Sequence, residues 1–176
     1  MSEQSDNLGH EGAQQTEQTH KARALKSLLW MVLGVGVVAL ALDLWSKSWA
    51  LNNLVEGEKH PFIGNFITLQ LIHNPGAAFS LGAGSTWIFT ILSVIILGAI
   101  IWYATKVTSV RLAILLGIIA GGAAGNLWDR LTRPPGFGRG YVVDFLNYND
   151  WFIGNVADIW IVGGALALVI WKMFDD

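Results

Sequence analysis

Three stretches of this chain, residues 27–42, 86–105 and 112–128, hold no charged side chain, and a fourth, residues 151–171, holds one, Asp158. Runs on this scale suit a bilayer, where an α-helix needs about 20 residues, at about 1.5 Å each, to cross a hydrocarbon layer about 30 Å thick. Composition agrees, because charged residues make up only 14% of the 176, against roughly a quarter in soluble domains. Too few charges remain to clothe a water-facing surface. The expected fold is an all-α membrane protein with four transmembrane helices.

The uncharged part of the fourth run, residues 159–171, reaches only about 20 Å, so Asp158 must lie at or inside the membrane boundary. The first and third runs are also short unless they extend toward Asp43 and Lys47, and toward Asp129. Residues 1–26 are rich in Gln, Glu, Ser and Thr, with almost nothing apolar to bury. They are expected to form a disordered cytoplasmic tail ahead of a four-helix membrane domain, residues 27–176, and His10 and His20 within them read as solvated. Eight of the nine tryptophans fall near expected helix ends, where amphipathic rings sit at headgroup level; Trp160 is the exception. Gly117, Gly121 and Gly125 recur every four residues, and Gly163 and Ala167 repeat the device on the last helix. Such stripes admit a neighbouring backbone at close range.

Consecutive spans alternate in direction, and that alone sorts the polar groups. Asp43 and Lys47 end span one, Asn74 to Phe79 precedes span two, Asn126, Asp129 and Arg130 end span three, Asp144 lies in the following loop, and Asn155 and Asp158 begin span four. All fall on one face. Lys21, Arg23 and Lys26 just before the first span favour a cytoplasmic N terminus, which puts the polar cluster on the outer face. A cleaved signal peptide ending near Ala39-Leu40-Ala41 is the rival reading; the length of the apolar run and the three spans that follow favour a retained helix. In the loop at 51–73, Ile67, Leu69 and Leu71 alternate with Thr68 and Gln70, the pattern of a strand with one apolar face. A small extracytoplasmic β-sheet is therefore expected between helices 1 and 2.

The chain has no cysteine, which excludes disulfides, iron–sulfur clusters, thiolate zinc sites and a cysteine nucleophile. A net charge of −2 argues against a nucleic-acid partner. There is no H-E-x-x-H helix, Ser46, Ser48 and Ser80 have no evident His base, and Ser46 and Lys47, adjacent on a helix, point apart. Ionisable groups at membrane depth are costly and functional by default, and those that remain are aspartates. Two carboxylates held close in a low-dielectric site do not both ionise easily, so one keeps a proton while the other acts as base toward a water between them. Asp144, within the apolar Tyr141-Val142-Val143-Asp144-Phe145, and Asp158, opening a membrane helix, are the best candidates. A loop folding back between them would bring them together.

Asn155 shares a helix face with Asp158, as do Asn126, Asp129 and Arg130 with one another; amides and guanidinium there would orient a substrate peptide or hold the aspartates. Asp43 and Lys47, an i,i+4 pair, read either as a helix-end ion pair or as substrate contacts. Asp129 is expected to be structural and Arg130 to serve either role. Asp150, in a polar loop, is expected to be solvated.

Five boxes occur in order: Asp43-Leu44-Trp45-Ser46-Lys47; Asn74-Pro75-Gly76-Ala77-Ala78-Phe79; Gly121-Gly122-Ala123-Ala124-Gly125-Asn126-Leu127-Trp128-Asp129-Arg130; Val142-Val143-Asp144-Phe145; and Asn155-Val156-Ala157-Asp158. With them the chain resembles, over roughly residues 27–172, lipoprotein signal peptidase (signal peptidase II), a family of bacterial intramembrane aspartic proteases. The resemblance implies hydrolysis of the peptide bond before a diacylglyceryl-modified cysteine in a prolipoprotein. It implies Asp144 and Asp158 as catalytic dyad, Asn74, Asn126, Arg130 and Asn155 lining the substrate site, and Asp43, Lys47 and Asp129 in support. No metal or organic cofactor is implied. Its partners would be prolipoprotein substrates and membrane lipid, for a monomer of the cytoplasmic (inner) membrane with both termini cytoplasmic and the active site near the extracytoplasmic face.

Two departures stand out. The family usually has Phe directly before the Asn of the last box, where this chain has Gly154, with Phe152 two residues earlier. Residues 131–140 form a Pro- and Gly-containing loop longer than the family core, readable as a mobile flap or an inert insertion. The rivals from other classes are a small four-helix transporter, which needs polar groups at mid-membrane, and a noncatalytic lipoprotein-binding protein, which has no need of two converging aspartates.

Overall fold

The computed structural model describes residues 2–76 and 86–174, except the side chains of residues 2–14 and 16. Helices α1 (Ser2–Asn53), α2 (Thr86–Ala104), α3 (Val110–Thr132) and α4 (Val156–Met173) and strands β1 (His60–Phe62), β2 (Gly64–Asn74), β3 (Val142–Tyr148) and β4 (Phe152–Gly154) follow in the order α1-β1-β2-α2-α3-β3-β4-α4. All four helices are long and apolar enough to cross a membrane, α1 within Glu17–Asn53. Their outward faces carry Val37, Ile95, Ile101, Leu166 and Val169, each at least half exposed. In a bilayer these meet lipid.

The third helix is the centre of the bundle: half of its spanning window is buried, against about a tenth for the others. Glycine makes this possible. A Cβ on Gly117 would stand 2.8 Å from the Val32 carbonyl, and one on Gly121 2.5 Å from that of Gly36, so α1 lies directly on the stripe. Gly122, on the next face, receives α4 in the same way, 2.6 Å from the Ala157 carbonyl. The expected partner stripe on α4 is displaced by one residue, because Gly163 has nothing within 4 Å while Gly164 packs on Ile119.

The first helix also differs from expectation at both ends. It is helical from Ser2, where a disordered tail was expected over residues 1–26; the segment is rich in helix-forming Gln, Glu, Ala and Lys, and Glu17 and Lys21 form an i,i+4 ion pair at 2.6 Å. It runs on to Asn53, so Asp43 and Lys47 lie inside α1, both fully buried, rather than at the end of the helix.

The sheet is a single antiparallel one of order β1-β2-β3-β4. Half of it comes from between helices 1 and 2, as expected, and half from between helices 3 and 4. Asp144 is therefore in a strand, opposite Ile72, and not in a loop. Leu71, Val143, Phe145 and Leu146 form a core with Ala50 of α1, which seats the sheet on that end of the bundle. Asp150 is exposed, as expected, and it also receives Lys59 Nζ at 2.6 and 2.7 Å and the Asn147 amide at 2.7 Å; these contacts, led by Lys59, hold its carboxyl below the usual range. The loop over residues 131–140 is tied down: the Gly140 N–H donates to the Arg130 carbonyl, the Tyr141 N–H to that of Pro134, and Thr90 Oγ1 of α2 to that of Gly138 at 2.8 Å.

Candidate active site

Asp144 is buried because its strand is apolar on both sides, from Val142 to Leu146. Only 2% of it is exposed, and two amides serve its two oxygens: Asn74 Nδ2 donates to Oδ2 at 2.8 Å and Asn155 Nδ2 to Oδ1 at 2.6 Å. Asn74 closes β2 opposite Val142. Burial, followed by the nearby charge of Asp158, pushes the Asp144 carboxyl up to about 7.

Asp158 is placed by the start of α4. Asn155 is the N-cap, its Oδ1 accepting the Asp158 N–H at 3.0 Å, while Asp158 Oδ2 accepts the Asn155 N–H at 3.1 Å. This reciprocal capping box leaves no rotational freedom for either side chain. The other oxygen, Oδ1, accepts from Asn126 Nδ2 at 2.9 Å, and Asn126 Oδ1 accepts from Asn155 Nδ2 at 3.1 Å. One asparagine thus touches both aspartates, with its side-chain amide on Asp144 and its backbone on Asp158.

Behind this layer lies a fully buried ion cluster. Lys47 Nζ stands 2.8 Å from Asp43 Oδ2, 3.0 Å from Asp129 Oδ2 and 3.0 Å from Asn126 Oδ1. Asp43 Oδ1 also accepts the Ala157 N–H at 2.8 Å, and Asp129 accepts the Val143 N–H at 3.2 Å and pairs with Arg133. The cluster therefore joins α1, α3, β3 and α4 immediately beside the residues that carry the two aspartates. A buried charge persists only where it is paired in this way. Of the two sequence-level readings for Asp43 and Lys47, the geometry matches the ion pair.

Asn74, Asn126, Arg130, Asp144 and Asp158 line one cavity of about 270 Å³ between α2 and α4. Arg130 is buried, donates one guanidinium nitrogen to the Gly76 carbonyl at 2.6 Å and lies 5.5 Å from the centre of the Phe89 ring. Its other terminal nitrogen, Nη1, is buried with no hydrogen-bond partner among the described residues. Of the second sequence box, Ala77, Ala78 and Phe79 lie outside the described residues, as does Ser80.

Sequence reasoning missed the apolar wall. Phe89, Leu92, Ser93 and Ile96 face the cavity from α2, and Val162 from α4. Their helical spacing was a signal, but in a helix that is apolar all round it does not say which face looks inward. Arg133 was also missed as the second cation on Asp129. Phe152 lines the cavity and stacks on Tyr148, with ring centres 5.9 Å apart. A Cβ on Gly154 would stand 2.6 Å from the Phe152 ring and 2.7 Å from Asp158 Oδ2. The absence of a side chain at 154 is what lets an aromatic ring reach the cavity from position 152.

The model of a family described as signal peptidase (SPase) II matches residues 35–174. Among relatives, a lipoprotein signal peptidase of Mycobacterium avium is 43% identical over 83% of this chain and 80% of its own length. One of Mycobacterium tuberculosis is 44% identical over 83% of this chain and 72% of its own. Among solved structures, a bacterial membrane enzyme determined by the in meso method at 2.3 Å resolution superposes with a TM-score of 0.72 at 25% identity, covering 82% of this chain and 88% of that one.

Proposed function

Because the chain belongs to the signal peptidase II family and is a multi-pass membrane peptidase that removes signal peptides from prolipoproteins, we propose that it works as an aspartic enzyme with Asp144 and Asp158 as its dyad. The observation that carries this is the convergence of both carboxylates on one cavity, joined through Asn155. Asp144 holds the shared proton. Asp158 takes a proton from water as the water attacks the scissile carbonyl, while Asp144 protonates the carbonyl oxygen; the resulting diol then collapses, the C–N bond breaking as Asp158 gives its proton to the leaving amine and a diol hydroxyl returns one to Asp144. Arg130 Nη1 donates to a substrate carbonyl, and Asn74, Asn126 and Asn155 hold the carboxylates in place. Asp43, Lys47 and Asp129 act at one remove by fixing the backbone.

The scissile bond precedes a diacylglyceryl-modified cysteine, whose acyl chains stay in the bilayer while the dyad reaches water near the extracytoplasmic face. Both termini are cytoplasmic, in the inner membrane. The test is cleavage of a lipidated precursor by Asp144→Asn and Asp158→Asn, purified in detergent and compared with wild type in thermal unfolding. Loss of cleavage with a retained folded state is expected for each. Full activity in either variant removes that residue from the dyad. The transporter reading has no support here, because Asp43, Lys47, Asp129, Arg130 and Asp158, the charges inside the bundle, lie together toward one end of it and α2 carries no charge.

A further inference from the structure

The loop between α3 and β3, residues 133–141, takes no part in the chemistry above, yet it ends in the most exposed aromatic ring among the described residues: Phe137, at 84%. Where that ring lies relative to the bilayer follows from one hydrogen bond. Thr90 Oγ1 donates to the carbonyl of Gly138, the next residue, at 2.8 Å. Thr90 is in the second turn of α2, a helix of 19 residues, whose length of about 28 Å roughly equals the hydrocarbon thickness. Thr90 is thus about 6 Å along the helix from its first residue, at or below the headgroup level rather than above it. Gly138 is pinned beside it, and Phe137 with it.

The other end of the loop gives the same depth. The Gly140 N–H donates to the carbonyl of Arg130 in the last turn of α3, and a Cβ at Gly140 would collide with backbone carbonyls of that turn. The loop therefore lies against the ends of two spanning helices, and does not rise from them. Trp87 and Trp128, about half exposed at these same helix ends, mark the interface. Next to Gly138, Arg139 is exposed, and an arginine at a membrane interface can lay its stem on apolar surface while its head stays among the headgroups.

We propose that this loop is a membrane-contact element, with Phe137 buried among the lipids of the outer leaflet and Arg139 at headgroup level, and that through Gly138 it braces the α2 wall of the dyad cavity. The occupant of the surface is bilayer lipid, not the substrate's acyl chains. The proposal concerns this loop alone and does not depend on the roles given to Asp144 and Asp158.

The chain has no cysteine, so single-cysteine variants need no background substitution. Phe137→Cys, Glu58→Cys on the exposed approach to the sheet and Ile95→Cys on the outward face of α2 are each labelled with a nitroxide. They are reconstituted in vesicles of phosphatidylcholine and phosphatidylglycerol without substrate. Relaxation by oxygen, which partitions into lipid, is compared with relaxation by a water-soluble nickel chelate. The expected result is an oxygen-to-nickel ratio at residue 137 several-fold above that at residue 58 and approaching that at residue 95. A ratio equal to that at residue 58 overturns the proposal. So does a ratio that rises only when lipidated precursor is added, since the surface then belongs to substrate.

Discussion

Asn155 and Asp158 cap one another: the side chain of each accepts the backbone N–H of the other, at 3.0 and 3.1 Å. The helix start and the orientation of a proposed catalytic carboxylate are thus one structure, and the remaining amide of Asn155 is free to hold Asp144. Asn155→Ser keeps a good N-cap but loses the amide donor. We expect thermal stability within about 1 kcal/mol of wild type and kcat lowered on the order of 10²-fold, the scale of general acid–base alignment. Unfolding and cleavage measured on one preparation separate the two effects. Parallel losses of stability and activity would show that the amide holds the fold as a whole rather than the alignment of Asp144.

The carboxyl of Asp144, pushed up to about 7 by burial, sets a pH window. In the unfolded chain the same group loses its proton near 3.8, so between 3.8 and about 7 the folded state binds the extra proton, and stability declines as pH rises across that interval. Asp144→Asn should flatten this slope in chemical denaturation. For cleavage, kcat/KM should fall as pH climbs through about 7, because the acid of the pair is then lost. A rate that keeps rising well above that pH would assign the proton elsewhere.

Lys47 is fully buried between Asp43 and Asp129. Lys47→Met leaves two carboxylates without their shared cation, and a loss of about 3–5 kcal/mol is expected, read as a lowered denaturation midpoint in detergent. The triple variant in which Asp43 and Asp129 also become Asn should recover much of it. Failure to recover would locate the damage in packing rather than charge.

Gly154→Ala places a methyl group 2.6 Å from the Phe152 ring and 2.7 Å from Asp158 Oδ2. Overpacking of this kind costs about 1–3 kcal/mol, and here the atoms that must move belong to the cavity. The expected outcome is a strong fall in cleavage that Phe152→Ala partly restores by vacating the ring's place. An unaffected rate in Gly154→Ala would show that the ring is not held where the structure has it.

The four spans were legible because hydrocarbon thickness and charge avoidance leave a mark on sequence that needs no tertiary information. So was the face on which Asp144 and Asp158 meet, since span parity fixes it. What escaped is what distant pairing decides. Strand β3 has no alternation, because it is buried on both faces, and its partner β2 lies far back in the chain. Lys59 stands 91 residues from the Asp150 it pairs with, so nothing local announces that surface pair. Asp43 and Lys47 read as a helix end because polarity rises there, yet no breaker follows them, and the helix continues because α3 and α4 supply the partners their charges need.

The cavity that Asp144 and Asp158 share lies between α2 and α4, and its walls away from the polar end are Phe89, Leu92, Ile96 and Val162. A substrate that is itself embedded in the bilayer therefore meets the enzyme by travelling within a two-dimensional fluid. Its effective concentration is a mole fraction of lipid, not a molarity. Adding empty vesicles that exchange lipid with the sample should slow turnover at constant total substrate, whereas enlarging the water volume should leave the rate unchanged.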